Sequence, residues 1–245
     1  MFIGIGNPIP EIANLPGPSR PGGGGSTPAF EYTAIDNSFS MEFAGTSDYF
    51  QTNYDDNLIG NSPQSFSMWF KSKSTGIQYK TLMGQYQENA LHGWGIEIGQ
   101  PFNLDKITWY SRNSTIDRIS YGSALTQNQW YHLALVVNSA SLNNVNYSIY
   151  LDGTALVENA TSSYYDNTTV LNSFQINNRY ANQAFYGGGN FVIDEVAIWT
   201  AALSEKTIKA IYDTTANNPG KVADLHIYYL FEKNLILMYY HNKNL

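Results

Sequence analysis

The residues best placed to do chemistry are two adjacent carboxylates, Asp194 and Glu195, inside an apolar segment of the chain. Phe191 and Ile193 lie at odd positions, whereas Val196 and Ile198 lie at even positions, so the apolar alternation slips by one residue at this pair. A β-strand accommodates such a slip through a bulge or a bend. The two carboxylates are therefore predicted to lie at a bulge.

This pair does not form the arrangement that hydrolysis by two carboxylates requires. Neighbouring residues of a regular strand face opposite ways, and no third carboxylate follows the pair along the strand. The four histidines lie in no spacing typical of a metal site or a catalytic triad. The sequence has no nucleophile elbow, Walker loop or dinucleotide fingerprint. We therefore predict no catalytic residues and a protein that is not an enzyme.

Aromatic residues flanked by polar ones could bind sugars, because rings stack on sugar faces while amides bond hydroxyls. Two predicted loops carry such ligand-binding candidates, Tyr164, Tyr165 and Asp166 in one and Asn178, Arg179, Tyr180 and Tyr186 in the other. Since the chain has nineteen tyrosines, core or sheet-surface packing is the alternative for most of them. The five tryptophans fall in predicted strands and are expected in the core: Trp69, Trp94, Trp109, Trp130 and Trp199.

Composition excludes several classes of function. The net charge is −7 and the few cations are scattered, whereas nucleic-acid binding needs clustered cations, so no nucleic-acid partner is expected. The absence of cysteine excludes disulfides, thiolate zinc sites and thiol catalysis.

No apolar run is long enough for a membrane-spanning helix, so no membrane insertion is expected. No secretory signal is evident, which suggests release by lysis, as for a virion component.

The elements that must position these residues read as short strands. Alternating apolar residues recur from residue 39 onward, separated by turns rich in Gly, Asn and Asp. The pair Asp152-Gly153 is a strong hairpin signal. A short helix should begin after Ser204 as its N-cap, with Leu203 and Ile208 forming a hydrophobic staple. These features predict an all-β fold: a two-sheet antiparallel jelly-roll sandwich with one short helix near its end.

Five segments, in order, resemble the laminin G-like (pentraxin-like) domains of the concanavalin A-like lectin/glucanase superfamily. They are Phe-Ser-Met-Glu-Phe-Ala-Gly-Thr-Ser-Asp-Tyr-Phe (39–50), Ser-Phe-Ser-Met-Trp-Phe (65–70), Gln-Trp-Tyr-His-Leu-Ala-Leu-Val-Val-Asn (129–138), Tyr-Ser-Ile-Tyr-Leu-Asp-Gly (147–153) and the Gly-rich, Ile-Asp-Glu-Val-containing segment 187–212. The resemblance covers residues 36–213 and implies the same sandwich. Glycoside hydrolases of the superfamily carry a Glu-x-Asp-x-x-Glu strand, which this chain lacks.

The resemblance also implies a calcium site. Domains of this type often hold one Ca²⁺ where the opening strand meets the Ile-Asp-Glu strand. In this chain Asp48 and Asp194 would supply carboxylate oxygens and Gly45 a backbone carbonyl, the hard oxygen ligands that Ca²⁺ prefers. The alternative is that Asp48 caps a turn and Asp194 bonds backbone amides at the bulge.

Three segments follow from these patterns: an arm of residues 1–30, a sandwich of residues 31–215 and a tail of residues 216–245. Six prolines and a run of four glycines predict that the arm is extended, either as a disordered leader or as an anchor on a neighbouring subunit. The Pro- and Gly-rich sequence of the arm resembles the leader segments of virion proteins of marine phages. For the tail we weigh an extra strand pair, a partner-binding segment and out-of-frame translation; its distinct composition favours the last.

These inferences combine into one expected function. We expect a non-enzymatic virion surface protein, anchored to other virion proteins through residues 1–30, whose lectin-like sandwich recognises host glycans or decorates the particle. The alternatives are a free extracellular bacterial carbohydrate-binding module and, less favoured, a glycoside hydrolase with an atypical site.

Overall fold

The computed structural model describes residues 40–45, 48–52, 63–87, 92–113, 115–141, 144–163, 173–178, 187–213, 225–232 and 235–240. Fourteen strands and one helix lie in this part of the chain. They are, in chain order, β1 (Met41–Ala44), β2 (Phe50–Gln51), β3 (Gln64–Ser72), β4 (Lys80–Gln87), β5 (His92–Gln100), β6 (Asn103–Asn113), β7 (Thr115–Tyr121), β8 (Trp130–Ser141), β9 (Asn144–Leu151), β10 (Thr154–Ser162), β11 (Gln175–Ile176), β12 (Asn190–Trp199), α1 (Glu205–Asp213), β13 (Leu225–Glu232) and β14 (Leu235–Tyr240).

The strands form two antiparallel sheets that pack face to face. Among the described residues, eight strands make one sheet, in the order β10-β9-β8-β3-β12-β13-β14, with β1 also paired to β12. Six strands make the other, in the order β2-β11-β4-β5-β6-β7. The predicted all-β sandwich with one short helix is confirmed. No helix in the described part of the chain is long and apolar enough to span a membrane.

The inner faces of the two sheets meet in an aromatic core. Trp109 stacks on Tyr147 with ring centroids 4.2 Å apart, and Trp94 packs between Trp109 and Phe174 at 6.5 and 6.2 Å. All four side chains are fully buried. Because one residue comes from β9, one from the segment before β11 and two from β5 and β6, these contacts join the sheets. Trp130 and Trp69 contradict the prediction of a core position. Trp130 is 37% exposed at the start of β8, with the Lys71 ammonium 4.9 Å from its ring centroid. Trp69 is partly buried and packs against His132 and Tyr212, outside the core cluster.

The local signals at two turns are confirmed. Asp152 and Gly153 have φ angles of 51° and 71°, as a two-residue hairpin of this type requires. The Ser204 hydroxyl accepts the Thr207 amide hydrogen at 3.2 Å, the expected N-cap contact. Leu203 packs against the small cluster that contains Ile208, so the two staple residues share one apolar environment.

The register break at the two carboxylates is also confirmed. On β12, Asp194 pairs with Trp69, whereas the next partnered residue is Ala197, opposite Ser67. The extra residue is accommodated at Glu195, whose φ angle of 48° is rare for a residue with a side chain.

The structure assigns strands to much of the segment predicted as a tail. Strand β13 pairs with the second half of β12, and β14 pairs with β13 over six residue pairs. The structure thus contains the extra strand pair that was one of the three alternatives, and the reading frame of this segment stays untested. Residues 1–39, which include the predicted arm, lie outside the described residues, and the boundaries 1–30, 31–215 and 216–245 stay predictions.

Candidate functional site

The two sheets differ in what lies on their outer faces. Helix α1 covers part of the eight-stranded sheet: Ile208 packs with Ala134, Val136 and Tyr150, and all four are buried. On the six-stranded sheet, the outward-facing strand residues, called here the outer face, are mostly polar or aromatic. A face covered by a helix is not available to a ligand, so the outer face of the six-stranded sheet is the candidate site. Its accessible part lies on β6 and β7, where Arg112, Arg118 and Ser120 are partly exposed and Ile116 is exposed, whereas its residues on β4, β11 and the middle of β5 are buried.

Strand pairing arranges the outer face in three rows across the sheet. One row contains Tyr86, Gly93, Arg112 and Ile116; the next contains Gln175, Gly84, Gly95, Tyr110 and Arg118; the third contains Thr81, Glu97, Thr108 and Ser120. Residues opposite each other in antiparallel strands point to the same side. Because three of these residues are glycines on adjacent strands, we call Gly84, Gly93 and Gly95 the glycine floor.

The glycine floor follows from the pattern of β5. Trp94, Ile96 and Ile98 point into the core and are fully buried, so the residues between them face outward. A Cβ on Gly93 would lie 2.5 Å from Cδ2 of Tyr86. The ring of Tyr86 therefore lies across Gly93, and its hydroxyl oxygen accepts a hydrogen bond of 3.1 Å from Nη1 of Arg112. A glycine in a strand interior often marks such a close approach.

An ion pair lies at the other end of the glycine floor. Nε of Arg118 donates to Oε2 of Glu97 at 3.1 Å, and the Glu97 side chain is fully buried. The Arg118 guanidinium carbon lies 4.7 Å from the ring centroid of Tyr79 and 4.8 Å from that of Tyr110. Burial raises the pKa of Tyr110 far above its ordinary value, so its hydroxyl stays protonated at any pH of interest. The guanidinium is held in place by one carboxylate and two rings.

Hydroxyls and amides continue the polar surface beside this pair. The hydroxyls of Thr108 and Ser120 are 2.8 Å apart, and Nε2 of Gln100 donates to the Ser120 hydroxyl at 2.9 Å. Oε1 of Gln175 and Nε of Arg112, both on this face, are among the buried polar atoms of the described residues that have no hydrogen-bond partner. Buried polar atoms are normally satisfied, so an orphan requires an explanation such as a water or a ligand.

The outer face does not present two carboxylates at outward strand positions in the described part of the chain. Glu97 is the one acidic residue at an outward strand position of this sheet in the part of the chain that the structure describes. It is paired with Arg118, and hydrolysis by two carboxylates needs a second acidic group across the bond. Sequence reasoning missed this face. The signal that could have found it is the alternation of Gly93 and Gly95 with the large core residues of β5.

The predicted calcium ligands do not form one coordination shell. Oδ2 of Asp48 accepts the Ala44 amide hydrogen at 2.9 Å, and Ala44 pairs with Asn190. Asp194 lies four residues further along β12, about 13 Å away at the usual strand rise. Its Oδ1 accepts the Glu195 amide hydrogen at 2.8 Å. Both carboxylates thus have the turn and bulge contacts of the alternative interpretation.

No group of three or more His, Asp or Glu residues that could hold a metal ion occurs in the described ranges. Gly45 belongs to the turn of Asp48, since its carbonyl oxygen accepts the Asp48 amide hydrogen at 3.3 Å. Calcium binding stays a prediction, and the three residues cannot share one ion in this geometry.

We expect the two carboxylates to respond unequally to calcium. If the protein binds Ca²⁺ at the opening turn, Asp48→Asn should abolish the rise in melting temperature that Ca²⁺ produces, whereas Asp194→Asn should leave it in place. The measurement is thermal unfolding with millimolar Ca²⁺ and with EDTA. A rise lost equally in both variants would contradict the separation of the two carboxylates, and no rise in the unsubstituted protein would contradict calcium binding itself.

A different side chain joins the segments at this end of the sandwich. Asn177 is fully buried, and its Nδ2 donates to the backbone oxygens of Asp48 and Gly189 at 2.7 and 3.2 Å. Its Oδ1 accepts the Gly189 amide hydrogen at 3.1 Å. A Cβ on Gly188 would lie 2.2 Å from the Asn177 Nδ2, so that glycine is required for the close approach. One amide therefore ties the end of β11 to two other segments.

The predicted sugar-binding loops fall largely beyond the described residues. Tyr164, Tyr165, Asp166, Arg179, Tyr180 and Tyr186 lie outside them and stay predictions. Asn178 is described and is 3% exposed, directly after Asn177. It lies at the end of β11, the strand that contributes Gln175 to the outer face.

The fold is similar to those of two solved structures, and a third gives a lower TM-score. Over 71% of this chain and 96% of the other, the protein is similar to the Ruminococcus gnavus IT-sialidase CBM40, with 13% identity and a TM-score of 0.51. The Trypanosoma rangeli sialidase gives a TM-score of 0.55 at 12% identity, over 73% of this chain and 27% of the sialidase. A native heptameric SAP-like pentraxin from Limulus polyphemus gives 0.47 at 14% identity, over 70% of this chain and 80% of the pentraxin.

These likenesses concern the fold alone, because the identities are low. No curated protein sequence matches the chain. The family model Laminin_G_3, described as concanavalin A-like lectin/glucanases superfamily, matches residues 44–209. That range is more than half of the 245 residues and includes every strand from β2 to β12. The chain therefore belongs to the Laminin_G_3 family of the concanavalin A-like lectin/glucanases superfamily.

Proposed function

We propose that the protein binds glycans without cleaving them and that the outer face of the six-stranded sheet takes the ligand. The family and the similarity to a carbohydrate-binding module along 96% of that module support a binding role. The chain matches almost the whole of this module but only 27% of the sialidase, so it has about the size of a carbohydrate-binding module.

The observation that carries the proposal is the polar outer face, whose accessible part lies on β6 and β7. This part combines the guanidinium groups of Arg112 and Arg118 with the Ser120 hydroxyl and the exposed apolar side chain of Ile116. The glycine floor beside it is buried, and the ring of Tyr86 lies across Gly93. A sugar presents both apolar C–H faces and hydroxyls, so a surface with both kinds of group suits it.

The finer proposal concerns where the protein works. We propose that residues 1–30 anchor it to other virion proteins and that the sandwich is displayed on the particle surface. The Pro- and Gly-rich composition of this segment supports an extended arm, which loses less entropy on docking than a flexible one. Mass spectrometry of purified particles should detect the full chain. Its absence from particles would favour a free carbohydrate-binding module.

We expect Gly95→Val to weaken glycan binding because a side chain on this buried glycine must displace its neighbours on the outer face. The φ angle of Gly95 is not in the left-handed region, so the backbone conformation permits valine, and the melting temperature is compared with that of the unsubstituted protein to show that the variant folds. The measurement is a glycan array with the full chain, with Ca²⁺ and with EDTA, followed by titration of the best ligand. We expect affinity to fall at least about tenfold, equivalent to about 1.4 kcal/mol.

Gly45→Val is the matched control, since a Cβ there meets nothing within 4 Å. This variant should bind like the unsubstituted protein. Release of reducing ends from any glycan on the array would contradict a non-catalytic role. Equal binding by Gly95→Val and the unsubstituted protein would place the ligand elsewhere, for example on the predicted loops.

A further inference from the structure

We propose that Trp130 forms a second sugar-binding site, on the eight-stranded sheet, by stacking on the apolar C–H face of a pyranose residue. The inference shares its ligand class with the proposed function and rests on it, but it concerns a different surface. Helix α1 covers part of this sheet, and its cover reaches Trp69 and His132, on which Tyr212 packs. Trp130 lies two residues before His132 on β8, beyond that cover. Its ring is therefore accessible, with 37% of the side chain exposed.

Contacts on two sides restrict the motion of the Trp130 ring. Lys71 pairs with Trp130 across β3 and β8, and its ammonium lies 4.9 Å from the ring centroid. The loop that precedes Trp130 is tied to the end of β3, because the Asn128 amide donates to the Ser72 carbonyl oxygen at 2.7 Å. A ring whose motion is already restricted loses less conformational freedom when a ligand stacks on it.

Polar groups lie beside the ring, as a sugar ligand requires. The Lys71 ammonium can donate to a hydroxyl of a sugar that is stacked on Trp130. Asn128 and Gln129, directly before Trp130 in the chain, are exposed and carry amides that both donate and accept. The pattern predicted for sugar binding, an aromatic residue flanked by amides, is therefore present here once the exposure of Trp130 is known.

The surroundings of the ring favour a sugar over a protein partner. The other exposed large apolar residues in the described ranges belong to the six-stranded sheet or to its β5–β6 turn: Phe102, Leu104, Ile116 and Ile119. On the eight-stranded sheet the surface beside Trp130 is charged, since Lys71 and Glu42 lie at outward positions of the same row. A protein interface needs a wide apolar centre, whereas one ring among polar groups is enough for a sugar.

The test follows the indole N–H resonances of the five tryptophans in a ¹⁵N correlation spectrum of the full chain. The probes are the glycans that bind on the array, added one at a time. We expect a bound glycan to shift the resonance of Trp130, which Trp130→Phe identifies by its loss. The resonances of the fully buried tryptophans should stay in place: Trp94, Trp109 and Trp199. Trp130→Ala should lower the affinity for that glycan about tenfold, whereas Trp130→Phe keeps a ring and should retain most of it.

Phe102→Ala is the matched control, because it removes another exposed aromatic ring, from the turn between β5 and β6. It should change neither the shift of the Trp130 resonance nor the affinity, and the rest of each spectrum shows that the variants fold. A shift that persists in Gly95→Val would show that the site is separate from the outer face.

Two results would overturn the second site and leave the proposed function intact. One is a Trp130 resonance that no bound glycan shifts, and the other is a Trp130→Ala variant that binds every array glycan like the unsubstituted protein. If no glycan on the array binds, the proposed function fails together with the inference.

Discussion

Replacing Asn177 with alanine is expected to lower the free energy of unfolding by about 4 kcal/mol. The substitution removes three hydrogen bonds, to the backbone oxygens of Asp48 and Gly189 and from the Gly189 amide. The Gly189 amide and carbonyl would be left buried, and each unsatisfied buried group costs about 1–3 kcal/mol. Alanine would also have to adopt the φ angle of 61° that asparagine tolerates. Urea unfolding at pH 7 measures the loss.

Two further variants separate the hydrogen bonds from the backbone strain. Asn177→Gly keeps the left-handed φ angle and removes the same bonds, so it should recover only about 1 kcal/mol of the loss. Asn128 has a φ angle of 62° but is exposed, so Asn128→Ala should show the strain alone, about 1 kcal/mol. If Asn177→Ala cost no more than Asn128→Ala, the buried amide would not hold these segments together.

The fold could be predicted from the sequence because its signals are local. Alternation of apolar residues gave the strands, and the slip at Asp194 and Glu195 marked a bulge that the register confirms. Turn chemistry at Asp152-Gly153 and capping at Ser204 are equally local, and both are confirmed. The segment after residue 216 was harder, because β13 and β14 lack the alternation of a half-buried strand. Only pairing with β12 shows that it extends the sheet.

The candidate site could not be predicted in the same way, because it depends on registers between strands far apart in sequence. Gln175 and Arg112 border one surface only because β4 and β5 lie between them. The same dependence separates Asp48 from Asp194. A shared motif suggested that they meet, yet the pairing of Ala44 with Asn190 puts the Asp48 turn at the far end of β1. The spacing of residues along the chain does not show how two strands far apart in sequence align with each other.

The stability of the protein is expected to fall by about 2.5 kcal/mol between pH 7 and pH 4.5 through His132 alone. This side chain is 1% exposed, and its Nδ1 has no hydrogen-bond partner. It lies between Trp69 on β3 and Tyr212 on α1, with ring centroids 5.2 and 6.2 Å away. Burial among these rings lowers the pKa of His132 from 6.5 to about 4. The imidazole is therefore neutral in the folded protein at neutral pH.

The direction of the effect follows from proton binding in the two states. The unfolded chain takes up a proton at His132 near pH 6.5, whereas the folded protein does so only near pH 4. Between these values the unfolded state binds more protons, so the stability is fully present above pH 6.5 and is lost as the pH falls toward 4. Asp152, which accepts the His132 amide hydrogen at 2.8 Å, opposes this near the lower end. Burial raises the pKa of Asp152, so the folded state binds that proton first.

His132→Gln isolates the histidine because glutamine keeps polar atoms but does not titrate. The free energy of unfolding of both proteins is measured in urea at several pH values from 4.5 to 8. The variant should show a pH dependence smaller by about 2.5 kcal/mol over pH 7 to 4.5, whatever its absolute stability, because Asp152 and the other carboxylates are common to both. Parallel curves would mean that His132 is protonated in the folded state at ordinary pH. That result would require a charge beneath α1, where the described contacts of the ring are with Trp69 and Tyr212.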